Sequence, residues 1–494
     1  MANYLTKSKY LSGLQCHKRL WNEVKHPNRA ADTSISQKRK FDQSKEVGIL
    51  ARDHFTNGVL IDAIDPLVSV EQTAEAIERG DSCIFEASFI FNDVLVRCDI
   101  IQKDSNSWNI IEVKASTVNQ TVKDSRIVKV EYLHDLAIQK YVLAGHGLSI
   151  SKTKLMLIDS KECVYPDLGN LFIIEDATEQ VNQLMGDVPS NVETFKTIIN
   201  GNDEPQVLIG DQCKKPYTCP FKETYCWMDV PQKSIFTIPG LRWNKKGELI
   251  ERGIFSLEDV PDDFALSEKQ RTYVNSVIDE QPVIDIPAVQ RLLSDLEYPV
   301  HFFDFETDNP PIPRFEEVRP CQHFPFQYSC HVLKSDGSAT HYEYLHTDTS
   351  DPRRPLLESL FNHISPSGSV VVFNATFERL RLNELTVSFP EYSSELESII
   401  NRLWDQLDIF KNHYMHPDFC GSNSLKDVLP VLVPSLSFKN LDVVHDGLEA
   451  QALWDLMINT TSESKQSDMI EHLKEYCKLD TLAMLEIHKV LCGL

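Results

Sequence analysis

The sequence predicts an α/β protein of two domains, and three observations support this. With 494 residues the chain is too long for one hydrophobic core, so two domains of about 200 residues each and a connector are expected. Hydrophobic residues at 42% and charged residues at 25% are ordinary for a globular protein. Both halves combine segments of strand periodicity with segments of helical periodicity, which is typical of α/β or α+β domains.

The first domain is predicted at residues 1–230. Helical patterns cover 5–27 and 38–54. A meander of three strands follows, with the sequences CIFEASFIFND, VLVRCDIIQ and SWNIIEVKAS. An amphipathic helix is predicted for VEYLHDLAIQKYVLAG, which ends at Gly145. A strand at KLMLID and a helix near 177–200 complete this domain.

The second half begins with a change of composition. Over 231–297, Pro, Gly and charged turns separate short helical segments, so we predict a helical connector there. The second domain, 298–494, starts with the strand PVHFFDFET and continues with a hairpin, FQYSCHVLKSDGSATHYEYLH. A buried strand, SVVVFNA, then leads into the helix ATFERLRLNEL. Strands followed mainly by helices predict a mixed sheet covered by helices.

The charge of the chain limits its function classes. A formal net charge of −24 argues against a protein that coats nucleic acid by bulk electrostatics. Residues 1–60 nevertheless hold 11 Lys and Arg against 5 Asp and Glu, which fits either a phosphate track or a solvated helix face. We find no secretion signal and no apolar run of 18 residues, so we expect a soluble, cytoplasmic protein without a membrane partner.

The first candidate site lies on the meander. Asp99 is on one strand, and Glu112 and Lys114 share one face of the next strand because side chains alternate with a period of two. Two carboxylates on neighbouring strands can hold one or two Mg²⁺ ions, while the ammonium orients the attacking water. Such a site hydrolyses phosphodiesters, with Glu86 as a further candidate acid. The same pattern also arises by chance in charged strands.

The order of elements around this site resembles the RecB-like branch of the PD-(D/E)XK nucleases. The resemblance rests on two strands, an acid-x-Lys strand and then a helix that carries Gln139. It implies a restriction-endonuclease-like core with Gln139 beside the catalytic Asp99, Glu112 and Lys114. That branch usually has a His ligand after a Gly in an upstream helix, where this chain has Arg52. His54 and Glu46 remain alternative ligands.

The cysteines form a second candidate site. Twelve cysteines without a secretion signal favour metal binding or buried packing over disulfides. Three of them are clustered in CKKPYTCPFKETYC, at spacings unlike the paired cysteines of zinc knuckles. Together with one cysteine near the N-terminus they would supply the four ligands of a cubane cluster, with zinc or no metal as alternatives. The four residues are Cys16, Cys213, Cys219 and Cys226.

This arrangement resembles the iron–sulfur nucleases of the CRISPR-associated and AddB-type groups. In this chain and in those nucleases, one upstream cysteine and three downstream cysteines flank a RecB-like core in the sequence. The resemblance implies a [4Fe-4S] cluster that joins the two ends of the domain without taking part in catalysis.

The third candidate site lies in the second half. Asp304 and Glu306 are on one face of the strand HFFDFET, as two-metal exonucleases require. FNATFERL places Glu378 at a helix start, and EYCKLD places Tyr476 and Asp480 on one helix face. Together these resemble the three motifs of the DEDDy proofreading-type exonucleases. The resemblance implies an RNase H-like DEDD exonuclease fold.

In that resemblance the site holds two metal ions, and a tyrosine orients the attacking water. Tyr476 matches this tyrosine. Glu378 stands where the family has Asp, and its longer arm could shift a metal. Asp405 and Asp408 are alternative metal ligands, although a structural role is the favoured interpretation for both. The carboxylates that would hold two Mg²⁺ or Mn²⁺ ions about 4 Å apart are Asp304, Glu306, Glu378 and Asp480.

The whole chain looks like a bacterial family of fusion proteins known only as a domain of unknown function. We therefore expect a metal-dependent nuclease with two active sites, acting on single-stranded DNA or DNA ends in repair or defence. The second half implies removal of nucleotides in the 3′-to-5′ direction. Two alternatives remain: a nucleic-acid-binding scaffold with degenerate sites, and an RNA-processing exonuclease.

Overall fold

The computed structural model describes residues 4–117, 119–120 and 126–494. It confirms a mixed α/β architecture. The chain divides into two compact units, which we call unit 1 and unit 2. None of the helices in the described residues has the length and apolar character needed to cross a membrane. Unit 1 comprises 1–33, 37–229 and 310–322, and unit 2 comprises 34–36, 230–309 and 323–494.

Unit 1 is built on a seven-stranded sheet in the order β2-β3-β4-β5-β8-β9, with β1 also paired to β4. The meander β3-β4-β5 is antiparallel, as the sequence predicts, and β8 lies parallel to β5. A separate short pair is formed by β6 and β7. The strands are β1 Leu5–Thr6, β2 Val59–Leu60, β3 Cys83–Phe91, β4 Val94–Asp104, β5 Ser107–Thr117, β6 Asn119–Gln120, β7 Arg126–Ile127, β8 Ile150–Ile158 and β9 Phe172–Asp176.

The described residues between 7 and 200 contain seven α-helices. The single helix predicted over 5–27 is two helices, because Cys16 adopts an extended backbone (φ −167°, ψ 123°) that ends one helix and begins the next. The helices are α1 Lys7–Gln15, α2 His17–Lys25, α3 Ile35–Arg52, α4 Pro66–Arg79, α5 Val130–Gly145, α6 Thr178–Leu184 and α7 Val188–Asn200.

The alternation of side chains along the strands gives the sheet of unit 1 two apolar faces. Ile110 packs in the larger core with Leu136 of α5 and Phe195 of α7. Its neighbour Ile111 packs in a second cluster with Ala51 of α3. Glu112 follows on the same strand and is buried, and the residues after it, including Lys114, are half-buried.

Unit 2 contains a five-stranded mixed sheet in the order β13-β12-β11-β14-β15. The first three strands are antiparallel, and β14 and β15 continue parallel to β11. A short antiparallel pair joins β10 and β16. The strands are β10 Val283–Ile284, β11 Val300–Asp308, β12 Phe324–Leu333, β13 Ala339–Leu345, β14 Val370–Val372, β15 Leu403–Asp405 and β16 Tyr414–Met415.

The helices of unit 2 cover both faces of this sheet. Phe303 and Phe305 pack in one core with Leu382 of helix α12, whereas Phe302 points the other way, and its ring lies 5.4 Å from that of His488 on α17. The helices are α8 Trp243–Glu251, α9 Glu268–Ile278, α10 Ile286–Ser294, α11 Arg353–His363, α12 Ala375–Ser388, α13 Ser393–Asn401, α14 Leu407–Asn412, α15 Leu425–Leu432, α16 Gly447–Asn459 and α17 Glu463–Cys492.

The segment predicted as a connector, 231–297, lies within unit 2 and contains helices α8 to α10. Part of it has a hydrophobic core of its own, in which Ile235, Leu249 and Tyr273 are buried. Met415 of β16 packs against this core.

Candidate metal centres

Strands β4 and β5 bring the first predicted site together in unit 1. Regular pairing of these strands stops at Ile100 and Ile111. Just beyond, Asp99 Oδ2 accepts a hydrogen bond of 2.7 Å from the backbone N–H of Val113. A side-chain oxygen thus continues the ladder where the backbone pairing ends. This contact fixes one oxygen of Asp99 beside the strand that carries Glu112.

Glu112 lies at the centre of the site and is 2% exposed. Its Oε1 is 2.6 Å from Lys114 Nζ, and its Oε2 accepts a hydrogen bond of 2.7 Å from Gln139 Nε2. The strand β5 and the helix α5 therefore place the predicted Glu112, Lys114 and Gln139 in one network.

Two members of this network were not predicted. Lys7 Nζ, on α1, lies 2.7 Å from Glu112 Oε1. Asp135, on α5, forms ion pairs with both lysines: its Oδ2 lies 2.7 Å from Lys114 Nζ, and its Oδ1 lies 3.2 Å from Lys7 Nζ. Asp135 lies four residues before Gln139, so helical spacing could have found it. Lys7 is 105 residues from Glu112 in sequence, and no local pattern connects them.

The charges of this network shift the pKa values of its carboxyls in opposite directions. Burial raises the pKa of Glu112, but the ammonium groups of Lys114 and Lys7 more than offset burial and hold it well below its usual range. Burial and the negative charge of Glu112 raise the pKa of Asp99 to about 7. Asp99 thus changes protonation near neutrality beside a carboxylate that stays ionised.

The position where the RecB-like resemblance expects a His ligand carries a cation instead. Arg52 Nη2 is 3.1 Å from Glu86 Oε1, and Glu86 has a left-handed backbone (φ 58°) that interrupts β3. The additional acid suggested by the sequence is therefore engaged in an ion pair. Both alternative ligands, His54 and Glu46, are exposed.

The four predicted cysteine ligands lie in unit 1 on two segments that contact each other. Cys16 sits between α1 and α2, and the other three lie on residues 213–226, which we call the cysteine loop. Gln15 Nε2 donates to the carbonyl oxygens of Gln212 and Tyr217 at 2.6 and 2.7 Å. The distant N-terminal cysteine is thus held beside the loop.

The thiols of these cysteines influence one another. Burial is the largest cause of the raised pKa of Cys16, with a contribution from Cys213. Burial, Cys16 and Cys226 raise the pKa of Cys219 to about 11. Thiols that disfavour one another's ionisation become thiolates when a metal cation neutralises them. These mutual effects on the pKa values indicate that the thiols lie near one another.

The third predicted site is assembled in unit 2. Asp304 and Glu306 project from the face of β11 that is opposite to Phe303 and Phe305. One oxygen from each of them and Sγ of Cys477 lie within 4.8 Å of one another. Cys477 is buried on α17 and was not among the predicted ligands.

Glu378 and Asp480 lie next to this group and, with Asp304 and Glu306, form what we call the carboxylate cluster, although among the described residues their ligand atoms fall outside the 4.8 Å group. Glu378 lies in the first turn of α12 and is 3% exposed, and Asp480 lies on α17 and is 8% exposed. Within the described residues, Glu378 Oε2 and Asp480 Oδ2 are buried without a hydrogen-bond partner. Buried polar atoms are normally satisfied, and a cation could satisfy these two carboxylate oxygens.

Burial raises the pKa of each carboxyl in the cluster, and repulsion from a neighbouring carboxylate adds to this for Glu306, Glu378 and Asp480. Burial raises the pKa of Asp304 to about 7, and Lys426 opposes this shift. Burial, Asp304 and Asp480 raise the pKa of Glu306 well above its usual range. Burial and Asp304 do the same for Glu378 and Asp480. A cation bound beside these carboxyls would favour their ionised forms.

Two further side chains border the cluster. Lys426 Nζ lies 5.3 Å from the centre of the Tyr476 ring and donates to the carbonyl oxygen of His445 at 2.5 Å. Burial and the charge of Asp480 raise the pKa of Tyr476 well above its usual range, so its hydroxyl stays protonated. Lys426, Asp304 and Asp480 line a cavity of ≈ 450 Å³.

The alternative ligands of the second half have different environments. Asp405 accepts hydrogen bonds from the backbone N–H groups of Asn374 and Ala375 at 2.9 and 3.1 Å, so it fixes the start of α12. Asp408 is exposed. By holding the start of α12, Asp405 positions Glu378 in the first turn.

Comparison with known proteins relates part of the chain to a family. A family model described as a domain of unknown function, DUF2779, matches residues 301–424. This confirms the expected resemblance to a domain of unknown function over that segment, which contains the Asp304, Glu306 and Glu378 positions. The family description gives no activity.

Two similar proteins come from mycoplasmas. An uncharacterized protein of Mycoplasma genitalium is 26% identical over 205 residues, which cover 38% of this chain and 31% of that protein. A homologue of it in Mycoplasma pneumoniae is 25% identical over 205 residues with the same coverage. The chain thus spans about a third of the length of these relatives.

The network around Glu112 predicts a structural effect of Lys7. Replacing Lys7 with Met leaves Glu112 and Asp135 buried with one ammonium instead of two. We expect the free energy of unfolding of unit 1 to fall by about 3 kcal/mol, because a buried carboxylate that loses its partner is strongly destabilising. Urea denaturation measures this change. The exposed Lys40 provides the control, and Lys40→Met should change stability by less than about 0.5 kcal/mol. Equal losses in both variants would contradict the assignment.

The raised pKa of Asp304 predicts a pH dependence of stability. Without divalent cations, Asp304 ionises near pH 7 in the folded protein and near pH 3.9 when unfolded. Below about pH 4 both states are protonated, and as the pH rises through about 7 the stability contribution is lost. Asp304→Asn should therefore gain melting temperature relative to the wild type between pH 4 and 8, by roughly 5 °C.

Melting curves at several pH values in buffer free of divalent cations test this. Asp408→Asn, which changes an exposed carboxylate of the same unit, is the control and should show a constant difference from the wild type. If the Asp304→Asn difference were the same at pH 4 and pH 8, ionisation of Asp304 would not oppose folding.

Proposed function

We propose that the protein is a metal-dependent nuclease that hydrolyses phosphodiester bonds in nucleic acid, with an active site in each unit. The observation that carries this proposal is the buried carboxylate cluster of unit 2. Its carboxyl groups come from three separate elements, and two of its oxygens lack partners among the described residues. An arrangement that costs stability in this way is typical of a functional site.

The chemistry of the cluster fits Mg²⁺ or Mn²⁺. Carboxylate oxygens are the ligands that these hard cations prefer, and we propose that Asp304, Glu306, Glu378 and Asp480 hold two ions. Bound ions of this kind stabilise the attacking and the leaving oxygen of a phosphodiester. Glu378 is longer than the Asp of the DEDDy motif, and its burial in the cluster supports its use as a ligand.

The remaining side chains of the unit 2 site act on the substrate directly. The protonated hydroxyl of Tyr476 can donate a hydrogen bond and so orient the attacking water. Lys426 lines the cavity beside Asp304 and brings a positive charge to the place where a phosphate would lie. The mixed sheet, with its three antiparallel and two parallel strands, is compatible with the proposed RNase H-like DEDD fold.

For unit 1 we propose a second hydrolytic site, with Asp99 and Glu112 as ligands of one cation. Lys114 would contact the scissile phosphate, and Gln139 holds Glu112 in position. The antiparallel meander followed by α5 and the parallel strand β8 supports the proposed PD-(D/E)XK core.

One observation favours a second function for unit 1. Lys7 and Lys114 already neutralise Glu112 and Asp135, so a cation must compete with Lys7 for the same oxygen of Glu112. A site of this kind can bind a phosphate through its lysines without cutting it. The alternative is therefore a unit 1 that grips nucleic acid as a scaffold while unit 2 hydrolyses it.

The basic N-terminal stretch contributes less free charge than its composition indicates. Five of its cations lie within 4.0 Å of carboxylates of unit 1. We therefore propose that the substrate is held mainly at the two sites and not along a broad electropositive surface. These paired cations are Lys7, Lys18, Arg19, Arg29 and Arg52.

A nuclease assay tests the proposed activity. The full-length protein is incubated with Mn²⁺ and end-labelled single-stranded DNA, or RNA of the same sequence, beside variants of each site. Asp304→Asn should lower the unit 2 activity by roughly 10²-fold or more, and Lys114→Met should do the same for unit 1. The product lengths then assign a direction of cleavage to each unit. Asp408→Asn and Lys40→Met are controls of equal charge change at exposed positions.

The outcomes separate the two functions of unit 1. Activity that is reduced but not abolished by Asp304→Asn, and that disappears when Lys114→Met is added to it, would establish two active sites. Activity that disappears in Asp304→Asn alone would support the scaffold function of unit 1. If the wild type cleaved neither DNA nor RNA with Mg²⁺ or Mn²⁺, the proposed nuclease function would be wrong. Preferential cleavage of RNA would support the RNA-processing alternative.

We further propose that the four cysteines bind a [4Fe-4S] cluster that joins α1 and α2 to the cysteine loop. Protein purified without oxygen should contain about four iron atoms and four sulfides per chain, as a cubane requires. Cys16→Ser should lose most of this iron, whereas Cys83→Ser, at a buried cysteine outside the group, should keep it. Metal analysis that finds one zinc and no sulfide would replace the cluster with a zinc site.

A further inference from the structure

A cavity of ≈ 600 Å³ opens beside Lys114 in unit 1. This volume is within the usual range for small-molecule pockets. Its walls come from α1, from the start of α5 and from the cysteine loop, and they are mostly apolar. The apolar and aromatic lining residues are Leu11, Leu14, Val130, Tyr132, Pro216 and Tyr217.

Two tyrosines define the chemistry of this cavity. Tyr217 is 52% exposed, although it lies on a wall of the cavity. Tyr217 lines the cavity together with Glu131 and Tyr132 at the start of α5, and burial, Tyr132 and Glu131 raise its pKa to about 12. Tyr132 is fixed by a hydrogen bond of 3.0 Å with Ser116. One ring is thus available for stacking and the other is part of a rigid wall.

The backbone of Tyr217 is held in place. The carbonyl oxygen of Tyr217 accepts a hydrogen bond of 2.7 Å from Gln15 Nε2. A backbone hydrogen bond of 3.0 Å from Cys219 N to the carbonyl oxygen of Cys213 closes the turn that contains Tyr217. The proposed cluster ligands Cys213 and Cys219 therefore flank Tyr217 in sequence. A cluster bound there would fix the stacking ring relative to Lys114.

The charged groups at the cavity favour a neutral ligand. Glu131 and Asp135 line it, and its Arg19 is paired with Glu23 at 2.8 Å. Asp135 is paired with Lys114 and Lys7, so Glu131 is the carboxylate that would repel a phosphate deeper in the cavity. An uncharged planar ring with an apolar face suits the apolar part of the walls, while its phosphate would lie at the Lys114 side of the cavity.

We propose that this cavity binds one unstacked nucleobase, which lies on Tyr217 next to the phosphate held by Lys114. The proposal rests on the nuclease function proposed above and gives unit 1 a substrate class, single-stranded nucleic acid. A base inside a duplex is stacked on its neighbours and must be unpaired before it can enter such a pocket. Aromatic side chains accept the face of any base, so the pocket selects for single strands and not for sequence.

Steady-state cleavage of single-stranded DNA by the Asp304→Asn protein isolates unit 1 and tests this. In that background Tyr217→Ala should raise KM about 5- to 140-fold, because stacking contributes about 1–3 kcal/mol per base, and should leave kcat nearly unchanged. Tyr217→Phe keeps the ring and should keep the KM of the parent. Met228→Ala, at a position that is 69% exposed just after the loop, is the matched control and should not change KM.

A substrate with abasic sites completes the test. Removal of bases should raise KM for the parent protein but not raise it further for Tyr217→Ala, since the two changes remove the same contact. If the Asp304→Asn protein cleaves and Tyr217→Ala has the parent KM, the base-binding proposal is wrong while the nuclease function stands. If the Asp304→Asn protein does not cleave, the proposed activity of unit 1 and the base-binding proposal fail together.

Discussion

The repulsion between buried carboxylates is the constraint on which the unit 2 site depends. Asp304 and Glu306 project from one face of β11, and α12 and α17 add Glu378 and Asp480 to the same place. Burial is the largest cause that makes their ionised forms unfavourable, and the charge of Asp304 adds to the effect on Glu306, Glu378 and Asp480. In the function proposed above, a bound divalent cation would relieve this unfavourable charge.

Unit 1 solves the same problem with its own cations. Glu112 and Asp135 are as deeply buried as the unit 2 acids, but Lys114 and Lys7 neutralise them without an added metal. The carboxylates of unit 1 are therefore neutralised by lysines, whereas those of unit 2 would need an added cation to ionise together. Because of this contrast, we propose hydrolysis for unit 2, and for unit 1 we propose hydrolysis with nucleic-acid binding as the alternative.

Sequence patterns located most of the side chains that meet at these sites, and the reason is local. Alternation on a strand fixes the face of Glu112 and Lys114, and helical spacing fixes the face of Asp480. Side chains that reach a site from a distant element carry no such signal. Lys7 lies 105 residues from Glu112, and its role depends on how α1 packs against the sheet. The break at Cys16 was likewise missed, because helical periodicity continues across it.

The central claim is that the carboxylate cluster of unit 2 binds divalent cations, and Mn²⁺ binding followed by electron paramagnetic resonance tests it most directly. The wild type is titrated beside the double variant Asp304→Asn, Glu306→Gln, which keeps the shapes of both side chains. We predict that the double variant binds about two fewer Mn²⁺ ions per chain, as expected for a two-metal site. Equal Mn²⁺ binding by the two proteins would contradict the account.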